Sequence, residues 1–295
     1  MKKYLPHLSI ILAGLSWATI GFFTKVLTQM GISEIQMMFL KVTIGAFIIA
    51  IIIAIRDKNA FKLKKLSDIK YFIGSGIISY SFFSYYYMLS INEMSIGMAA
   101  MLLYTSPIFV MIFSRILFKE KFTKVKIISL ILTLFGCFLV AGVFTKQIQF
   151  TKIGIIYGLF SAIGYGLYGI FGKLAIEKGY DSFTISFYTF LTSTLVFSFL
   201  IDPILLLEKI DKNNIFLIIV FVLMTAIIPY IAYNNGLKHL KPGTCSILVS
   251  IELVGATIMG IVIFKESFNI LKLLGVASVL AAVIILSREE KTKEQ

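Results

Sequence analysis

Charge is scarce in this chain. Over 295 residues, Asp, Glu, Lys and Arg together make up 15%, against about 25% in ordinary soluble domains. With 58% hydrophobic residues and a mean hydropathy of +0.93, a soluble globule is excluded. Histidine is nearly absent. His7 and His239 flank apolar runs and neither has a second ligand at metal spacing, so no metal centre is expected. The two cysteines, Cys137 and Cys245, sit inside apolar stretches and make neither a disulfide framework nor a metal cluster. No glycine-rich phosphate loop is present, so a nucleotide is not the direct energy source, and no cofactor is expected. The chain also has no long polar tract beyond the tail 289–295. The opening Met1-Lys2-Lys3 before an apolar run mimics a signal peptide. That run is too long and lacks a small-x-small cleavage site, so it reads as a first helix.

What remains is a polytopic membrane protein. A window of about 20 residues predicts ten helices at 8–29, 34–55, 70–91, 96–118, 124–144, 151–174, 182–203, 214–236, 243–264 and 269–287. Only the connections 56–69 and 202–214 are long. The net charge of +13 would point to nucleic acid in a soluble domain. In a membrane protein it reflects loops facing anionic headgroups, and the expected partner is the lipid bilayer, with no nucleic acid.

The chain repeats itself. The stretch 97–122, GMAAMLLYTSPIFVMIFSRILFKEKF, returns at 243–268 as GTCSILVSIELVGATIMGIVIFKESF, at an offset of 146 (243 − 97). Gly97 falls on Gly243, Phe118-Lys119-Glu120 on Phe264-Lys265-Glu266, and Phe122 on Phe268. The first helices of the halves match at 148 (169 − 21): Gly21-Phe22-Phe23-Thr24-Lys25 on Gly169-Ile170-Phe171-Gly172-Lys173, and Gly31 on Gly179. Five spans is an odd number, so the second half begins on the opposite side from the first and the repeat is inverted. The expected fold is therefore an all-α membrane protein of ten transmembrane helices in two inverted five-helix repeats, residues 1–146 and 147–295, forming one transmembrane unit. Of the 28 Lys and Arg, twenty fall at the side of the termini, seven at the other, and Lys41 within a span. The positive-inside rule places both termini in the cytoplasm.

These residues carry a family resemblance. Leu15-Ser16-Trp17-Ala18 in the first helix, the helix-ending acids Glu120 and Glu266, and Glu252 in the ninth helix resemble the EamA-type, ten-helix members of the drug/metabolite transporter superfamily. The resemblance covers the whole length. It departs at Lys41, where the family often has Arg, and at Leu253, where many members have Pro after the acid. It implies a secondary transporter in a bacterial plasma membrane, a monomer or homodimer, and no enzyme.

Glu252 is the one carboxylate lying well inside a span, where an unpaired charge costs several kcal/mol. It reads as a counter-charge for a cation, a proton-coupling group, or a packing carboxyl bonded to Ser250 or a backbone carbonyl. Lys41 reads as a snorkelling lysine, and Glu120 and Glu266 as end-markers at the interface. Gly158, Ala162 and Gly166, like Ala256 and Gly260, are spaced for close helix approach. No discontinuous-helix terminus is evident; without a proline the ninth helix is not expected to kink, whereas Pro107 leaves a kink open in the fourth.

Aromatic residues recur in equivalent places. Trp17 pairs with Tyr165 at the 148 offset. Tyr80, Ser84 and Tyr87 share one predicted face, matched by Ala226, Tyr230 and Tyr233, and Tyr104 matches Ser250. A shared cavity would satisfy these phenol and indole groups; scattered core aromatics are the other reading. Several ring faces and one carboxylate suit a cation poor in hydrogen bonds, each ring contributing roughly 0.5–2 kcal/mol. The first expectation is choline or a related quaternary amine, held by Trp17, Tyr80, Tyr87, Tyr104, Tyr165, Tyr230, Tyr233, Asn234 and Glu252 and moved by alternating access between the halves. The alternative is an amino-acid or metabolite exporter, for which only Lys41, Asn234 and Asn235 could meet a carboxylate within the spans.

Overall fold

The computed structural model describes residues 4–141, 151–212, 214–267 and 269–293. Among the described residues the regular structure is helical throughout, as a chain with no water to satisfy its backbone requires. Ten rods succeed one another: α1 (Leu5–Gln29), α2 (Glu34–Arg56), α3 (69–93), α4 (Ile96–Phe118), α5 (Lys124–Val140), α6 (Lys152–Glu177), α7 (Ser182–Ser198), α8 (Ile215–His239), α9 (Pro242–Phe264) and α10 (Ile270–Lys293). Seven of them, α1, α2, α4, α6, α8, α9 and α10, are long and apolar enough to cross a membrane by composition alone. Of the others, α5 and α7 have 17 residues each. Helix α3 carries serines that turn inward: Ser75 bonds Thr189 at 2.6 Å, Ser79 the Gly164 carbonyl at 2.8 Å and Ser90 the Gly154 carbonyl at 3.1 Å. The span predicted at 182–203 stops at Ser198, and Pro203–Leu207 forms a separate short turn capped by Asp202. The expected boundary between halves at 146/147, the end of the span predicted at 124–144, and Phe268 lie outside the described residues.

Side-chain caps mark the helix starts. Ser33 and Gln36 form a capping box on α2, and Thr123, Thr151 and Asp181 each accept a backbone N–H at the starts of α5, α6 and α7.

The backbone repeats along with the sequence. Among the described residues, four have positive φ: Gly31 (80°) and Gly179 (82°), Lys119 (52°) and Lys265 (53°). Each pair is related by the repeat, at offsets of 148 and 146. The two glycines end α1 and α6 in the left-handed region, where a side chain is strained. A π-helical stretch interrupts α3 at Gly74–Ser81 and α8 at Leu223–Ile227, again in matching places. Helix α3 packs along α6 as α1 packs along α8, and α2 meets α7 between them. Helices α5 and α10 press together at Gly136 and Gly275, where a Cβ on either would come within 2.7 Å of the other's carbonyl oxygen. As the spacing predicted, Gly158 faces Leu102 and Gly166 faces Val110 and Ser106 across the α4–α6 seam. On α9 the close approach falls at Gly255, against Ala18 of α1, and Gly260 gives onto the Glu266 carboxylate of its own helix end.

Candidate functional site

Three helices break near mid-depth, α4 where Pro107 left a kink open, and α1 and α9 where none was expected. Helix α1 breaks at Ala18-Thr19, α4 at Tyr104-Thr105 and α9 at Val249-Ser250. Pro107 stands at the start of the second segment of α4, while α1 and α9 break without a proline. Each break is a local tightening to i→i−3 bonds: Thr19 N–H to Ser16 O at 3.1 Å, Thr105 N–H to Leu102 O at 3.0 Å, and Ser250 N–H to Ile247 O at 3.2 Å. Hydroxyl side chains take up nearby carbonyls, Thr19 on Ser16 at 2.7 Å, Thr105 on Leu102 at 2.6 Å and Ser250 on Ser246 at 3.3 Å. Gly14 of α1 abuts the α9 break, where a Cβ would sit 2.7 Å from the Val249 carbonyl oxygen.

The breaks gather an aromatic chamber. Trp17, ending the first segment of α1, has Tyr230 at 5.2 Å, Tyr233 at 5.7 Å and Tyr165 at 6.4 Å between ring centroids. Tyr168 lies 4.9 Å from Tyr230, Phe83 5.3 Å from Tyr165, and Tyr80 6.0 Å from Tyr230. These rings, with Ser79, Ser106 and Ser246, line a small cavity of about 20 Å³. The free room at its centre is about that of one water.

Two opposite charges flank the chamber. The Glu252 carboxylate stands in the first turn after the α9 break and accepts the Tyr165 hydroxyl at 3.3 Å. On the other side Lys41 is buried, its ammonium 5.5 Å from the Tyr80 ring and 5.9 Å from the Tyr230 ring. It does not snorkel. The two groups form no direct ion pair among the described residues.

Of the nine site residues expected from sequence, Trp17, Tyr80, Tyr165, Tyr230 and Tyr233 come together on the cavity wall, with Glu252 beside Tyr165. Asn234 lies one layer behind, donating to the Tyr168 hydroxyl at 2.7 Å and to Ser186 at 3.2 Å. Tyr104 sits at the α4 break, off the cavity wall. Tyr87 packs instead with Met94, Met98 and Ala99. Sequence reasoning missed Tyr168 and Phe83. Tyr168 comes one turn after Tyr165, but its repeat partner is Ile20, so the symmetry that found Tyr165 passed over it.

The EamA-like transporter family model matches the chain twice, over residues 5–142 and 152–288. The chain belongs to this family. Two relatives are named uncharacterized transporters. One, from Clostridium kluyveri, is 27% identical over 97% of this chain and 93% of its own length. The other, from Archaeoglobus fulgidus, is 29% identical over 69% of this chain and 71% of its own. A solved crystal structure superposes with a TM-score of 0.80 over 98% of this chain and 99% of that one, at 15% identity, and shows the common fold. The transporter is thus a multi-pass membrane protein whose two family units meet around the aromatic chamber.

Proposed function

We propose that the protein moves a small amine-bearing organic solute through the chamber by alternating access, the two halves rocking about a site near mid-depth. The observation that carries this is the Trp17-centred box of rings with the Glu252 carboxylate at its edge. Ring faces and one anion recognise a poorly hydrated cation, which makes choline or a related quaternary amine the first substrate to test. The chamber has room for about one water, so a solute enters only when the helices part. A second reading, an amino acid, is favoured by Lys41, whose buried ammonium over Tyr80 and Tyr230 would meet a substrate carboxylate while Glu252 meets the amine. Glu252 is also the candidate proton carrier. The excess of Lys and Arg at the side of the termini argues for both termini in the cytoplasm of a bacterial cell.

The deciding experiment is uptake of labelled choline into liposomes holding the purified protein, with and without a pH gradient, competed by amines and amino acids. Saturable uptake blocked by quaternary amines alone supports the first reading. Amino-acid exchange without choline uptake replaces it with the second. No saturable flux of either overturns the proposal.

A further inference from the structure

The repeat places the same acid at the ends of α4 and α9, and the structure treats the two differently. After Phe118 the chain turns left-handed at Lys119 (φ 52°, ψ 33°), after Phe264 at Lys265 (φ 53°, ψ 34°). The next N–H returns to the Ser114 carbonyl at 3.3 Å in one case and to the Gly260 carbonyl at 3.1 Å in the other. Both acids then meet a lysine six residues on: Glu120 with Lys126 at 2.7 Å, Glu266 with Lys272 at 3.0 Å. There the likeness ends. Glu120 is buried and reaches into the other half, accepting the Gly243 N–H at 3.1 Å and the Thr244 hydroxyl at 3.4 Å, as well as the hydroxyl of Ser114. Gly243 leaves room for it, since a Cβ there would stand 3.0 Å from both carboxylate oxygens. Glu266 is 54% exposed at its side chain and makes no bond to Gly97 or Met98, the repeat counterparts of Gly243 and Thr244, among the described contacts.

A second pair agrees. Lys173 of α6 donates to the Leu237 and Leu240 carbonyls at 2.8 and 3.1 Å, closing α6 onto the end of α8. Its counterpart Lys25 instead lies 4.0 Å from the Phe264 ring, with no bond to α3 among the described contacts. Departure from symmetry is not general. Lys64 donates to the Gly179 carbonyl at 2.8 Å, and Lys209, one position short of the 146 offset, donates to the Gly31 carbonyl at 2.8 Å, so a similar brace is engaged at each face at once. The outer braces are alike while the inner contacts are made on one face only.

We infer that Glu120 and Glu266 are alternating locks. The face bearing the termini is sealed here by Glu120 on the start of α9, and in the other state Glu266, keeping Lys272, seals the opposite face on the start of α4 at the Gly97 N–H. Each carboxylate would then leave its helix-start N–H for water as the other gains one. Because Met98 and Gly260 stand where Glu120 has the hydroxyls of Thr244 and Ser114, the Glu266 lock is the weaker of the two. The inference rests on the alternating access proposed above, but its test needs no substrate.

Spin labels at Lys119 and Lys241 report the sealed face, and labels at Lys265 and Ser95, their repeat counterparts, report the opposite face. All four positions are exposed, and both native cysteines are buried. The wild type should show a short 119–241 and a long 95–265 distance. Glu120→Gln should lengthen the first and shorten the second in the majority of molecules, and Gly243→Ala should act in the same direction by crowding the carboxylate. Glu266→Gln should remove any population with a short 95–265 distance. Unchanged distances in Glu120→Gln and Gly243→Ala overturn the inference, as does lengthening of the 119–241 distance with no shortening at 95–265. Reciprocal distances without flux of any solute would leave the locks standing and remove the transport reading.

Discussion

At Glu252 a carboxylate, a helix break and a phenol converge. Its 3.3 Å bond to Tyr165 is long for a charge-assisted contact, which suits a group that exchanges partners. Replacing it by Gln keeps the volume and one acceptor but removes the charge and the proton. Glu252→Gln is therefore expected to abolish uptake into liposomes while the protein purifies as a folded monomer or oligomer like the wild type. Wild-type flux in that variant would take Glu252 out of the mechanism. Trp17 tests the rings. It has three ring neighbours within 6.4 Å, and a ring lost from a desolvated cation site weakens binding by roughly 0.5–2 kcal/mol, about 2- to 30-fold. Trp17→Ala should raise the half-saturating concentration of a quaternary amine by that factor and change that of a zwitterionic amino acid less. Equal losses for both would count against a cation cage. At this scale the sequence was informative where chemistry was rare. A lone deep carboxylate and a lone tryptophan stand out against an apolar background, whereas Tyr168 is one of 14 tyrosines and has no aromatic repeat partner.

Helices were legible as runs, and their interruptions, apart from the kink that Pro107 left open in α4, were not. Hydropathy over a span is an average, and an i→i−3 turn at Tyr104-Thr105 or Val249-Ser250 changes that average by nothing. The hydroxyls that accompany the breaks, Thr19, Thr105 and Ser250, are common in spans for other reasons. The π stretches at Gly74–Ser81 and Leu223–Ile227 hide in the same way. Close helix contacts can be read from small residues, but which glycines are indispensable depends on the partner. Gly76 lies in the π stretch of α3, where a Cβ would collide with Thr192 Oγ1 and come 2.5 Å from the Thr189 carbonyl oxygen. Gly21 of α1 has open space. Gly76→Ala should force α3 from α7 and lower stability by about 1–3 kcal/mol. Gly21→Ala should raise it by up to about 1 kcal/mol, because the chain gains helix propensity at no steric cost. Thermal unfolding in detergent distinguishes these, and a similar loss for both would mean that α3 and α7 tolerate separation.

Over the whole molecule, the inverted repeat turns one set of residues into two environments, and orientation decides what each environment is for. The loops at the face of the termini carry Arg56, Lys62, Lys64 and Lys65 between α2 and α3, and Lys119, Lys121 and Lys124 between α4 and α5. The opposite face carries few cations beyond Lys209, Lys212, Lys265 and Lys272. A bilayer with anionic lipid on its inner leaflet holds the first set inside at about 1 kcal/mol per residue near the surface. Single cysteines settle the matter in intact cells: one at Ser95, on the opposite face, should react with a membrane-impermeant maleimide, and one at Lys119 should react only after the cells are opened. The reverse pattern would invert the whole description, making the Glu120 contact an outer seal and the exposed Glu266 an inner one. The pairing of the halves would survive that reversal, because it arises from the repeat and owes nothing to the direction in which the chain was inserted.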